Sequence, residues 1–142
     1  MPYRTLLLLS LTLVLTPTLH PAPAIDPVLA KGLQAATTNG LEACFEIWYA
    51  GRPGHPEMYA ELNAKVSAET KNLGEIFDTE VVATQTLSKR VTRYYLVIYF
   101  TRRPLWIRID RYAGRDRAYF LPFKYSLDSD AILPGVITDF VQ

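Results

Sequence analysis

Residues 91–103 read V-T-R-Y-Y-L-V-I-Y-F-T-R-R, β-branched and aromatic almost throughout, with no glycine or proline. That composition suits a pleated, packed surface. Successive side chains of a strand point to opposite faces. Thr92, Tyr94, Leu96, Ile98 and Phe100 therefore share one face, and Val91, Arg93, Tyr95, Val97, Tyr99 and Thr101 the other. Both sets are largely apolar, as expected of a central strand covered on both sides for much of its length.

Outward from this strand the period stays at two. Four strands are expected, over residues 77–87, 91–101, 105–112 and 117–127, broken by Ser88-Lys89-Arg90, Arg102-Arg103-Pro104 and Ala113-Gly114-Arg115-Asp116. Short breaks of this kind pair neighbouring strands antiparallel as hairpins. The third strand alternates plainly, with Leu105, Ile107 and Ile109 on one face and Trp106, Arg108, Asp110 and Tyr112 on the other. Pro122 cannot donate to a ladder, so the last strand should lie at an edge or carry a bulge. The tail from Ala131, with Pro134-Gly135 and an apolar Val136-Ile137, reads as either a docked turn or a short strand.

Upstream of Phe77 the period is helical. Asp26-Pro27 sets an N-cap acceptor before a proline at the first helical position. Val28, Leu29, Leu33 and Ala36 form its stripe, and Thr37-Thr38-Asn39-Gly40 ends it. Thr38 or Asn39 is expected to cap a second helix over residues 41–49, buried through Leu41, Cys44, Phe45 and Trp48. Gly51-Arg52-Pro53-Gly54-His55-Pro56 is a loop by composition. A third helix is expected from about Glu57 to Leu73, stopped by Gly74, with Met58, Leu62 and Val66 on its buried stripe. Helices followed by a meander of strands give an α+β domain, its N-terminal helices packed on one face of a four-stranded antiparallel sheet.

The first 24 residues are set apart as a signal peptide. Arg4 precedes an apolar run over residues 6–15, and Ala22-Pro23-Ala24 has the small-x-small form of a cleavage site. The run is about half of the roughly 20 residues that a spanning helix needs. Export, a mature domain over residues 25–142, a periplasmic or secreted location and no stable membrane span after cleavage are the expectations. The 142-residue chain holds 15 basic and 14 acidic residues, so losing Arg4 with the leader leaves a formally neutral domain. Charge is unevenly spread: residues 25–80 hold nine acids and four bases, whereas residues 89–117 hold nine bases against Asp110 and Asp116. Cys44 is the single cysteine, so no internal disulfide can form. No cationic neighbour in sequence depresses its pKa, and a core role is expected for it.

The segments K-N-L-G (71–74), F-D-T-E-V-V-A-T-Q-T (77–86), R-Y-Y-L-V-I-Y-F (93–100), P-L-W-I-R-I-D-R-Y (104–112) and Y-F-L-P-F-K-Y-S-L-D-S-D-A-I-L-P (119–134) follow one another in a distinctive order. Together with T-T-N-G-L-E-A-C-F-E-I-W (37–48), they resemble the small secreted members of the nuclear transport factor 2-like (NTF2-like) superfamily, which shares the cystatin-like fold. The resemblance covers about residues 26–134 and is one of pattern and order. It implies a curved sheet wrapping a long helix into a cone, often with a pocket and often dimeric through the sheet. It leaves function open, because one fold hosts many activities. Isomerases, dehydratases, carriers and inert scaffolds all occur in the superfamily.

Enzymes of that fold use a pocket acid and base. His55 is the one histidine of the mature chain and sits in a turn, where solvent exposure is the expectation. No zinc-ligand spacing, phosphate-binding loop or nucleophile elbow appears, and no metal or cofactor is expected. Asp110, flanked by Arg108 and Arg111, is either a pocket base or one half of an ion pair with Arg108, and the pair is favoured. Asp78 and Glu80 on the first strand read as a solvated edge. Trp48, Tyr49, Tyr94, Tyr95, Tyr99, Trp106, Tyr112, Tyr119 and Phe120 line a pocket or fill core and interface. The ligand-pocket candidates taken from these readings are Trp48, Tyr95, Trp106, Arg108, Asp110 and Tyr112. Arginine interleaved with aromatics also suits nucleic acid, but export and neutrality point away from that partner. A cystatin-like protease inhibitor is disfavoured, because the hairpin loop of that family has no counterpart at Ser88-Lys89-Arg90 and several helices precede the sheet. The expected function is non-catalytic binding of a small apolar or anionic ligand or of a partner protein. The alternatives are an isomerase- or lyase-type pocket enzyme using a carboxylate and a tyrosine, and a structural homodimer joined through the sheet.

Overall fold

A computed structural model describes residues 24–54 and 56–135. The signal-peptide reading through Pro23, His55 and the end of the tail (136–142) lie outside the described residues. Within them the chain is α+β: helices α1 (Pro27–Asn39), α2 (Leu41–Tyr49) and α3 (Pro56–Thr70), then strands β1 (Ile76–Ser88), β2 (Val91–Phe100), β3 (Pro104–Ala113), β4 (Ala118–Phe120) and β5 (Lys124–Ser126). The sheet runs β1-β2-β3-β4 antiparallel, with β5 also pairing to β3.

The period of two places β1 to β3 within a residue or two of their expected bounds. The last expected strand is divided. Both β4 and β5 pair with β3; Leu121 still donates its N–H to the Asp110 carbonyl at 2.8 Å, and Pro122-Phe123 then leave the ladder, as a residue with no N–H to donate requires. β1 departs from regular pairing three times, with register shifts at Ile76/Asp78, Val81/Ala83 and Thr86/Ser88. Each shift leaves one residue outside the pairing, which bends and twists the strand. Phe77 and Leu87, two of the unpaired residues, are exposed. A 13-residue edge strand is an invitation to pair with another chain. Its bulges, together with exposed Asp78 and Glu80, make β1 a poor template.

Tyr94, Leu96, Ile98 and Phe100 of β2 join Leu105, Ile107 and Ile109 of β3 on the face that meets the helices. Leu29, Leu33 and Ala36 of α1 and Leu41, Cys44, Phe45 and Trp48 of α2 fill the space above them. Burial of this many large side chains, at about 25 cal/mol per Å² of apolar surface, is the main force holding helices to sheet. On the opposite face Tyr95 is buried under Ile132 and Leu133, which follow a single 3-10 turn (Ser129–Ala131), with Val82, Ala83 and Trp106 packed alongside. Both faces of β2 are thus covered over residues 94–98.

Two helix readings differ in detail. Thr37 and Thr38 stay inside α1, their hydroxyls bonding back to the Gln34 carbonyl at 2.8 and 3.2 Å. Gly40, at φ +92°, then caps α2 with no side-chain bond. α3 ends at Thr70 and buries Tyr59, Val66 and Thr70, whereas Met58 is 48% exposed. Tyr59 and Met58 are neighbours about 100° apart on the helix. The larger aromatic ring faces α2, and the thioether turns to solvent.

Candidate functional site

Among the described residues, α2, the turn that follows it and the start of α3 border a cleft with several buried, unpaired polar atoms in its wall. α2 sends Phe45 and Trp48 into the core, which leaves Tyr49 half-buried at its end. The chain then turns through Gly51 and Gly54 at φ +69° and +127°, where a side chain would be strained. Pro56 opens α3, supplying no N–H where none is needed. Tyr59 and Asn63, one turn apart on α3, line the cleft together with Tyr49 and Arg52.

The cleft has a volume of about 320 Å³. Its aromatic wall is Tyr49 against Tyr59, ring centroids 4.1 Å apart, backed by Phe123 stacked 6.2 Å from Tyr49. Arg52 lies between Tyr59, 4.4 Å from its ring centroid, and Tyr119, at 5.7 Å. Its Nη1 donates to the Phe120 carbonyl at 3.1 Å, so the guanidinium is held from three sides. Burial lowers its pKa, opposed by the Tyr49 and Tyr119 hydroxyl groups. The Tyr49 hydroxyl accepts from the Phe123 N–H at 3.3 Å and donates weakly to the Leu121 carbonyl at 3.5 Å, tying α2 to the β4–β5 connection. Burial pushes the Tyr49 ionisation up, against the lowering effect of the Phe123 bond.

Arg52 Nε, Tyr59 Oη and Asn63 Oδ1 are buried and have no hydrogen-bond partner. Tyr59 as a whole is only 9% exposed. A buried polar atom left unpaired costs about 1–3 kcal/mol, and native folds keep few of them.

The other cavities are less provided. A groove of about 580 Å³ between the α1–α2 and α3–β1 junctions, reaching Lys71 and Phe100, holds no unpaired buried polar side-chain atom. In a third, of about 420 Å³, the buried Tyr125 hydroxyl stands against the Glu69 carboxylate. Burial first, and the Glu69 carboxylate second, push that tyrosine up to about 12.

The six residues singled out from sequence do not meet in one cavity. Trp48 is 2% exposed in the core, its Nε1 donating to the Leu29 carbonyl at 3.2 Å. Tyr95, Trp106, Arg108, Asp110 and Tyr112 share the sheet face that points away from the helices. Asp110 is clasped by Arg93, Nε and Nη2 donating at 2.7 and 2.9 Å. The partner is Arg93 rather than Arg108, because antiparallel register sets Arg93 directly opposite Asp110. These bonds raise the Arg93 pKa further. Tyr112 borders a small cavity of about 280 Å³ beside Arg115, Arg117 and Tyr119. Tyr59, Asn63 and Arg52 escape a sequence reading because an unpaired atom is a property of three dimensions. The available signal was two polar residues at i and i+4 on the buried side of α3.

Cys44 is 0% exposed, and burial pushes its thiol pKa up. A protonated, enclosed thiol is a poor nucleophile. Iodoacetamide should therefore label it only at the rate at which the domain opens, and rapid labelling of the native protein would contradict this placement. Among the described residues, no three His, Cys, Asp or Glu side chains gather to hold a metal ion, and no helix is long and apolar enough to cross a membrane. Comparison of the chain with protein-family models, curated proteins and solved structures gives no match.

Proposed function

We propose that this is an exported, non-catalytic domain of the NTF2-like type that binds a small ligand in the α2–α3 cleft. The observation that carries the reading is one aromatic-walled cleft of about 320 Å³ lined by Tyr49, Arg52, Tyr59 and Asn63, with the Arg52 guanidinium fixed by two rings and the Phe120 carbonyl. Small-ligand sites have this make-up, an apolar lining with a few fixed polar groups. Export is supported by the leader pattern of the sequence alone. The cone is supported by helices on one face of a sheet whose edge strand is bent by three bulges. A pocket enzyme based on Asp110 gains no support, since that carboxylate is held by Arg93 on the outer face. A sheet-mediated dimer has less apolar surface to use, because Ile132 and Leu133 already cover Tyr95.

The test exploits the conflict between binding and stability. Tyr59→Phe removes a buried hydroxyl that bonds to nothing, so the unliganded fold should gain stability, by up to about 1 kcal/mol. In a protein-observed NMR screen of small aromatic and polar fragments, hits should concentrate on amides of residues 45–63. A destabilised Tyr59→Phe protein, or fragments that bypass those amides, would overturn the assignment.

A further inference from the structure

We infer that one end of the sheet, formed by the β1–β2 and β3–β4 turns, docks on an anionic lipid surface. This contact is separate from the α2–α3 cleft and stands whether or not that cleft takes a ligand. Antiparallel register brings both turns to the same end, since Ser88 pairs with Val91, Val91 with Tyr112 and Ala113 with Ala118. The Ala113 N–H also donates to the Arg90 carbonyl at 2.7 Å. With strands about 4.8 Å apart, the two turns lie about 10 Å from each other.

Lys89 and Arg90 stand on the first turn and Arg115, Asp116 and Arg117 on the second, and all five are exposed. Among the described residues none of these four cations is in an ion pair, whereas Arg93 and Arg111 nearby are neutralised by Asp110 and Asp26. Arg90 Nη1 donates to the Ala113 carbonyl at 3.1 Å, which fixes the side chain without cancelling its charge. Four uncancelled positive charges therefore face solvent against one carboxylate. A pocket for a free anion would converge its donors on one point. Here they are spread over two tips, as suits a plane of negative headgroups.

The apolar groups at this end select lipid. Leu87, next to the first turn, is 42% exposed, and Ile25 and Val28 at the start of α1 are 47% and 39% exposed. The bond from Arg111 to Asp26 fixes that start to the same end of the sheet. Apolar side chains set among Lys and Arg fit the boundary between headgroups and acyl chains. Tyr112 and Tyr119 pack edge-on against each other, with centroids 5.4 Å apart, so this pair is not the open platform on which nucleic-acid bases stack. The chain also enters the domain here: residues 16–24 separate Ile25 from the apolar run over residues 6–15, a tether of at most about 30 Å.

Protein expressed with its own leader, and purified as the cell processes it, can be sedimented with vesicles of phosphatidylcholine alone or with phosphatidylglycerol added. Partition should favour the anionic vesicles and fall as salt is raised from about 50 to 300 mM. Each cation near such a surface contributes about fivefold, so Arg115→Ser/Arg117→Ser should weaken partition about 25-fold. Lys89→Ser/Arg90→Ser should do the same from the other turn, and it decides if the first pair fails to fold. Leu87→Ser should weaken it several-fold on anionic vesicles. Lys65→Ser/Lys71→Ser removes two exposed charges remote from this end, and should change it less than about threefold because of screening. Equal losses from the turn pairs and the Lys65/Lys71 pair would reduce the contact to net charge and overturn the inference. Equal partition into the two kinds of vesicle, or none into either, would also overturn it. Binding of a DNA duplex that depends on these turns, without preference for anionic vesicles, would give the surface to nucleic acid instead.

Discussion

Gly32→Ala will lower the stability of the domain by about 2–4 kcal/mol, although alanine is the better helix former by about 1 kcal/mol. Gly32 lies in the middle of α1 and is buried. A Cβ built there would stand 2.1 Å from Trp48 Nε1 and 2.4 Å from its Cδ1. Neither atom is the end of a flexible chain. The indole is wedged between Phe45, at 5.9 Å, Phe123, at 6.3 Å, and Phe120, at 6.4 Å between ring centroids. Making room would move the ring out of a close-packed site and pull Nε1 away from the Leu29 carbonyl. Overpacking of this kind costs about 1–3 kcal/mol, and an orphaned buried donor about as much again. At roughly 5 °C per kcal/mol for a domain of this size, the midpoint of thermal unfolding should drop by about 10–20 °C. Trp48→Phe shortens the ring and removes the donor, so in that background Gly32→Ala should cost little. A double-mutant cycle by thermal and urea unfolding reads the coupling directly. An unchanged or raised midpoint in the single variant would mean that α1 and α2 do not meet through this contact.

That contact also shows what the sequence carried and what it did not. The period of two over β1 to β3 is plain in the residues, because each strand has at least one continuous apolar set. Which set of β2 faces the helices was not legible, since Tyr95 and Val97 on one face are as apolar as Leu96 and Ile98 on the other. Only the return of Ile132 and Leu133 over Tyr95 explains both. The division of the last strand was foreshadowed by Pro122. The three register shifts in β1 were not, because an inserted residue within a β-branched run leaves the composition unchanged. The site followed the same rule. The aromatic residues of the sequence point to Trp48, which is core, whereas on α3 Leu62 and Val66 of the expected stripe do pack on the core and only Met58 gives way, to its neighbour Tyr59. Gly32 had no signal of its own, since its importance lies in the ring of another helix.

Asp26→Ala should cost the domain about 2–3 kcal/mol, because one carboxylate does two jobs. Its Oδ1 accepts from the N–H groups of Val28 and Leu29, at 2.9 and 3.2 Å, capping α1. Its Oδ2 accepts from Arg111 Nε on β3, whose guanidinium lies 5.2 Å from the Phe120 ring centroid. Loss of an N-cap costs about 1 kcal/mol. The ion pair is largely enclosed, with the side chains 12% and 21% exposed. Stripping one partner from a buried pair costs about 3–5 kcal/mol, and the residual exposure here reduces that to about 1–2. Asp26→Asn separates the two, since asparagine caps about as well but carries no charge. It should recover the capping share, whereas Arg111→Met should lose only the pairing share together with its contact to Phe120. Urea denaturation of the three variants and of the Asp26→Ala/Arg111→Met double variant measures each share. If Asp26→Asn proves as damaging as Asp26→Ala, the cap contributes nothing, and the start of the first helix is held to the sheet by charge alone.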